Sequence, residues 1–330
     1  MDIDGKPAQA AVRDGVLRLP GRFALHFGGE LEGVELAWRL VGEQGPVVAA
    51  LGGISAGRFV CEDAPAGWWR GIVGPGRALD SRHCRILGMD FLGGSGRTTG
   101  PVAGQGEFPA ISAHDQARLL HALVAHLGIG QLGAIAGASY GGMVALAFAE
   151  GWPDAARRIC VIGAADHSHS MSTAWRSVQR AIVRYALQKG DGPGGLRLAR
   201  ALAMTTYRSS REFTRRFSGE AQRLGDHFRF PVEDYLFARG DAYAASYVPE
   251  AFLCLSESID LHRVDATRIR VPTTLVAIRE DQLVPLADMR ALHARLAGPA
   301  QLVEISSLYG HDAFLKEEAA LRPVFEQLLD

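Results

Sequence analysis

Cysteine is scarce in this chain, with four residues in 330 (Cys61, Cys84, Cys160 and Cys254), and no two stand at a CxxC spacing. A disulfide framework is thereby excluded, no zinc-ligand set is offered, and a reducing compartment fits. Cys84 and Cys160 fall in apolar runs and read as plain core residues. Charge of one sign is also lacking: 35 basic against 36 acidic side chains leave a net charge of −1. No global basic field recommends nucleic acid or an anionic membrane as partner. The opening MDIDGKPAQAAVRDG has no apolar stretch behind a positive cluster, so a signal peptide is not expected and a cytoplasmic location is. One run lacks charge altogether, Leu119 to Ala149, and at 31 residues it is long enough to span a bilayer. Six glycines, two histidines and Gln131 interrupt it, and its pattern passes from helical to strand and back. A buried helix, strand and helix are expected there.

What is present suits a large core: 48% of residues are hydrophobic and 22% charged. The length suggests one large domain carrying an insertion, or two small domains. Strand-like runs stand at residues 22–27, 34–41, 47–52, 85–90, 132–137 and 158–165, and later at 273–278 and 301–306. Between them lie helix-like segments at 112–127, 141–151, 286–297 and 313–329. Short apolar strands alternating with helices predict an α/β fold, a mostly parallel sheet with helices on both faces. Residues 166–266 differ, reading as helices without a convincing strand. Within them, residues 176–216 carry ten Lys/Arg against two acids, Asp191 and Glu212. Most of those arginines read as a solvated helix surface. The expected organisation is a core in two parts, residues 1–165 and 267–330, with a helical lid at 166–266 between them.

The pattern G-x-S-x-G, which marks a sharp strand-to-helix turn with an exposed serine, occurs twice, around Ser139 and around Ser55. Context separates them. The strand-like 132–137 feeds Gly137-Ala138-Ser139-Tyr140-Gly141, and the uninterrupted helical run 141–151 follows. A helix behind Ser55 would be short and stopped by Pro65. Ser139 also follows the fifth strand, where an α/β-hydrolase keeps its nucleophile, whereas Ser55 follows the third, where that fold keeps its oxyanion loop. Ser139 is the expected nucleophile. Serine needs a base, and the base needs an orienting carboxylate. In chain order Ser, acid, His, the acid candidates are Glu280 and Asp281 after the strand at 273–278, and spacing does not choose between them. The base is His311, which alone of eleven histidines stands after the last strand and before the last helix.

These residues resemble the homoserine O-acyltransferases, α/β-hydrolase-fold enzymes that acylate homoserine for methionine synthesis. The likeness is carried by Phe91-Leu92-Gly93-Gly94-Ser95-Gly96-Arg97-Thr98-Thr99-Gly100-Pro101 ahead of Phe108-Pro109, by Ser139-Tyr140-Gly141-Gly142-Met143, and by Gly310-His311-Asp312-Ala313-Phe314-Leu315. It implies Asp281 as the acid, separated by two residues from Val284-Pro285. It implies a ping-pong route in which acyl-CoA acylates Ser139, CoA leaves and homoserine accepts the acyl group. Acyl-CoA is then a co-substrate, and no permanently bound cofactor or metal is expected. Arg200 and Tyr207 match the family's Arg and Tyr seven residues apart, two helical turns on one face. Arg200 is expected to grip the amino acid's carboxylate and Asp312 its ammonium.

The family's His-Ala-Leu-Thr-Gly loop is replaced here by Ala49-Ala50-Leu51-Gly52-Gly53. Because the oxyanion donors are backbone N–H groups, those of Leu51 and Tyr140 are expected to serve. The Gly-Gly-Ile-Ser and Ala-Ser-Tyr variants resemble the branch associated with succinyl transfer. Its donor needs a cation in the acyl pocket, for which Arg97, Arg58 and Arg176 are candidates. Acetyl transfer, serine as acceptor and simple ester hydrolysis are the alternatives, and the resemblance implies a homodimer.

Overall fold

Runs such as Val47–Leu51 (VVAAL) and Ala134–Ala138 (AIAGA) are too short for helices, and every residue in them is buried. Such segments are stable only when both faces are covered, which places them in the middle of a sheet. In the computed structural model, which describes residues 11–62, 66–105 and 108–329, they are central strands of an eight-stranded sheet. The strands are β1 (Val12–Arg18), β2 (Glu35–Val41), β3 (Val47–Leu51), β4 (Arg85–Met89), β5 (Ala134–Ala138), β6 (Ile159–Ile162), β7 (Thr273–Ile278) and β8 (Ala300–Ile305). Their spatial order is β1-β2-β4-β3-β5-β6-β7-β8. The pairs β1–β2 and β2–β4 are antiparallel, and the other five are parallel.

Alternation along the strands divides the core. Val47, Ala49 and Leu51 of β3 pack in one apolar cluster, Val48 and Ala50 in another on the opposite face. Helices α1 (Ala113–His126) and α2 (Tyr140–Gly151) contribute Leu119, Leu120 and Phe148 to the first cluster. The last helix, Glu318–Leu329, gives Leu321, Val324 and Phe325 to the second. The charge-free run 119–149 is thus the end of α1, all of β5 and most of α2, and no helix among the described residues is long and apolar enough to cross a membrane. Cys84 and Cys160 are fully buried, and burial pushes both thiols up to about 12, which makes them inert.

Between β6 and β7 the chain leaves the sheet for α3 (Ser170–Gln188), α4 (Gly192–Tyr207), α5 (Ser210–Arg216), α6 (Pro231–Ala244) and α7 (Pro249–Asp260). These helices have a small core of their own, with Val183, Leu196, Ala199, Tyr243 and Phe252.

Four sequence readings need correction. The insertion does contain strands, a hairpin pairing Gln222–Leu224 with His227–Arg229 through Gly225 at φ +63°. All six residues are exposed, so no apolar alternation announced it. Strand β1 has no apolar signature in the sequence, because this edge strand buries only Leu17. The run at 22–27 forms only Arg22–Ala24, paired with Glu30–Glu32 outside the main sheet. The final helix is split: residues 310–315 wind as a 3-10 turn, and the α-helix begins at Glu318. Pro65 lies outside the described residues, as do the first ten; residues 52–62 form turns and no helix.

Candidate active site

Ser139 sits between β5 and α2 with φ +54° and ψ −122°, the only positive φ of a non-glycine among the described residues. A side chain tolerates that region only when its surroundings enforce it. They do so here by excluding Cβ atoms on three sides. A Cβ at Gly137 would come 2.3 Å from the Gly141 carbonyl oxygen, and one at Gly141 would come 2.2 Å from that of Leu51. At Gly142 it would meet Ala164 Cβ at 2.7 Å. The backbone N–H of Ser139 donates to Ile162 of β6 at 2.8 Å, and that of Gly141 to Gly52 at 2.7 Å. Gly141→Ala should therefore cost about 1–3 kcal/mol by overpacking against β3. The expected reading is a lowered urea midpoint at unchanged slope; an unaltered midpoint would show that β3 yields to the extra methyl.

The ends of β7 and β8 converge on this serine. Ser139 Oγ lies 2.8 Å from His311 Nε2, and His311 Nδ1 lies 2.6 Å from Asp281 Oδ2. Asp281 has no exposed side-chain surface, and its other oxygen, Oδ1, accepts from the N–H groups of Leu283 (2.8 Å) and Val284 (3.0 Å). The carboxylate is thus held at both ends. Burial alone would lower the basicity of His311, but the charge and hydrogen bond of Asp281 outweigh it and leave the imidazole above its ordinary value.

Spacing left two acids open. Glu280 turns away, accepting from Ser306 Oγ (2.5 Å) and the Ser307 N–H (2.8 Å). Ser55 is likewise elsewhere, its hydroxyl 3.2 Å from Tyr243 Oη. Leu51 ends β3 in register with Gly137, and its carbonyl faces Gly141. Tyr140 is the first residue of α2, and its phenol lies 2.6 Å from Ser258 Oγ in the core.

Arg200 and Tyr207 share one face of α4, with the guanidinium 5.1 Å from the Tyr207 ring centre and 4.8 Å from that of Tyr243. Tyr207 in turn lies 6.1 Å, ring to ring, from His311. Asp312 is buried beside His311. Burial pushes its carboxyl up, while Arg208, His311 and Arg200 pull the other way. One of its oxygens is 3.1 Å from Arg208 Nε. Sequence reasoning passed over Arg208, although it directly follows Tyr207. An arginine in a run this rich in them carries no local signal. Among the described residues no cluster of three or more His, Cys, Asp or Glu could hold a metal ion.

A narrow cavity opens onto Ser139 and His311. Its walls come from Ile54, from Met143 of α2, from Trp175 and Arg176 of α3, from Tyr207, and from Phe252 of α7.

A protein with this strand order, strand-to-helix serine turn and late acid and histidine has the organisation of an α/β hydrolase, and that family's model, described as alpha/beta hydrolase fold, matches residues 61–318. The similarity narrows further. A homoserine O-succinyltransferase of Xanthomonas campestris is 40% identical over 96% of this chain and 82% of its own length. A homoserine O-acetyltransferase of Clavibacter michiganensis is 33% identical over 99% of this chain and 97% of its own. A serine O-succinyltransferase of Litchfieldella anticariensis is 32% identical over 95% and 97%. Among solved structures, the homoserine O-acetyltransferase of Bacillus anthracis superposes with a TM-score of 0.86, at 17% identity over 97% of this chain and 98% of that one. The chain belongs to the α/β-hydrolase-fold family of homoserine O-acyltransferases.

Proposed function

We propose that this chain is a homoserine O-succinyltransferase that moves the succinyl group of succinyl-CoA onto the hydroxyl of L-homoserine, releasing CoA, in methionine biosynthesis. The near full-length likeness to the Xanthomonas enzyme carries this reading. The Ser139–His311–Asp281 chain of hydrogen bonds supports the chemistry.

In the proposed route His311 Nε2 takes the Ser139 hydroxyl proton as Oγ attacks the thioester carbonyl. The oxyanion is met by the backbone N–H groups assigned to Leu51 and Tyr140. Collapse expels CoA as a thiol, protonated by His311, and leaves a succinyl ester on Ser139. The homoserine hydroxyl then gives its proton to His311 and attacks that ester, which returns Ser139. The helices α3–α7 act as a lid that confines the site. Arg200 binds the homoserine carboxylate and Asp312 its ammonium. Asp312 is already paired with Arg208, so the incoming ammonium shares that carboxylate while Arg208 keeps its contact with Glu212, 3.5 Å away. We also propose a cytoplasmic homodimer that covers the exposed Met171, Val178 and Tyr185 of α3.

The deciding assay offers succinyl-CoA and acetyl-CoA with homoserine and with serine. A tenfold preference for acetyl-CoA, or for serine, would overturn the corresponding half of the reading. Ester hydrolysis that outruns CoA-dependent transfer would overturn both. Acceptor binding has its own test. Arg200→Ala removes charge-assisted hydrogen bonds worth roughly 1.5–3 kcal/mol, or roughly 10- to 150-fold in kcat/KM for homoserine. The burst of CoA release without acceptor is expected to survive. Loss of the burst at an unchanged homoserine KM would move Arg200 to the donor side.

A further inference from the structure

The second G-x-S-x-G run, Gly53-Ile54-Ser55-Ala56-Gly57, has no part in the triad, yet it lies in the loop that follows Leu51, one of the two assigned oxyanion donors. Residues 52–58 form neither helix nor strand, so their position depends on what holds them. Both ends are fixed by the core. At the near end the Gly52 carbonyl accepts from the Gly141 N–H at 2.7 Å. At the far end Asp90, just after β4, accepts from the Arg58 N–H at 2.8 Å and also binds the Arg58 guanidinium. Gly57 packs so tightly on this carboxylate that a Cβ there would stand 2.7 Å from Oδ1.

The middle of the loop is held from the lid. Tyr247, between α6 and α7, donates its phenol proton to the Ile54 carbonyl at 2.8 Å. Ser55 Oγ donates to the phenol oxygen of Tyr243, on α6, at 3.2 Å. The two tyrosine rings stack with centres 4.8 Å apart and planes 17° from parallel, which makes them one block. Burial pushes both phenols up, so each keeps its proton and Tyr247 remains a donor. Phenylalanine would fill the same space without bringing a hydroxyl out of water, a burial that costs free energy unless the group is bonded. Here both hydroxyls meet the loop. Ile54 is also a wall of the cavity that opens onto Ser139. Movement of its backbone would therefore change the cavity and the aim of the neighbouring Leu51 N–H together. Tyr243 has a further neighbour, the Arg200 guanidinium at 4.8 Å from its ring centre. The residue assigned to the acceptor's carboxylate and the loop assigned to the oxyanion thus lean on the same side chain.

We propose that Tyr247 and Tyr243 are positioning residues, a strap by which the lid sets the oxyanion loop for acyl transfer at Ser139. The strap rests on the acyl-transfer reading above, with Leu51 as a donor. Neither tyrosine touches the reacting atoms; each acts through Ile54 or Ser55. An oxyanion forms when Ser139 is acylated and again when it is released, so the strap serves both half-reactions, whereas Arg200 serves one.

The test follows the burst of CoA release without acceptor and the steady state with homoserine, using whichever of succinyl-CoA and acetyl-CoA the protein prefers. Absence of CoA release from both, in the unaltered protein, would reject the acyl-transfer reading and the strap with it. Tyr247→Phe keeps the ring and removes one hydrogen bond. Burst rate and kcat are expected to fall together by roughly three- to tenfold, with the homoserine KM held within about twofold. An unchanged burst, or a loss confined to the homoserine KM, would overturn the proposal and leave the reading intact. Ser55→Ala and Tyr243→Phe remove opposite ends of a single bond. Each is expected to slow the burst, and the double variant no more than the slower of the two; losses that multiply would overturn the link between them. Should a tyrosine variant not fold, Ser55→Ala alters only an exposed residue, and an unaltered burst in it overturns the proposal.

Discussion

Ser139→Ala is expected to lower kcat for acyl transfer at least a hundredfold while the protein keeps its thermal midpoint. The hydroxyl sits at a turn whose geometry is enforced by Gly137, Gly141 and Gly142, with no contribution from the serine side chain beyond its bond to His311. Alanine inherits the same positive φ, so the strain is unchanged and only the hydroxyl, the proposed nucleophile, is lost. Residual turnover above about one part in a hundred would mean that the acyl group does not pass through Ser139. A direct check accompanies it. Incubated with succinyl-CoA alone, the parent should gain one succinyl mass on the peptide containing Ser139, and the variant should gain none.

Asp281→Asn is expected to cost between roughly a hundredfold and ten-thousandfold in kcat, through the imidazole and not through the fold. The Leu283 and Val284 N–H groups point at Oδ1 and select the amide oxygen for that position. The amide NH2 then faces His311 Nδ1, which must accept, and the remaining proton moves to Nε2. A protonated Nε2 cannot take the proton of Ser139. The pH profile supplies a second reading. A general base works when neutral, and Asp281 holds the pKa of His311 above its ordinary value. The rising limb of kcat/KM in the parent should therefore lie above the usual imidazole range. In the variant, with burial no longer opposed by a carboxylate, it should move to lower pH. A limb at the same pH in both proteins would show that Asp281 does not set the basicity of His311.

Much of the parallel core could be read directly, because β3, β5 and β6 are apolar on both faces and each is followed by a clear break. The serine turn was legible for the same reason: a strand, small residues and a helix must follow in that order for the backbone to make it. His311 could be found from its place after the last strand. The choice between Glu280 and Asp281 could not be made from their positions, since adjacent residues differ only in direction and both carboxylates find N–H donors. The resemblance named Asp281, and the observed hydrogen bond runs to that residue. Long-range pairing was the real limit. Nothing local says that Arg208 meets Asp312, or that Arg176 and Arg180 share Asp260, because the partners lie about 80 to 100 positions apart and are joined only by the folding of α3, α4 and α7 over the sheet.

The placement of these groups divides the molecule by inheritance. The triad hangs from the ends of β5, β7 and β8, whereas Arg176, Arg180, Arg200, Tyr207, Arg208 and Asp260 all come from one continuous stretch between β6 and β7. Among the residues assigned to substrates, Asp312 alone belongs to the sheet side, one position after His311. In an exchange of residues 166–266 between relatives, the proposed acceptor residues Arg200 and Tyr207 would travel with that stretch, and Ser139, His311 and Asp312 would stay behind.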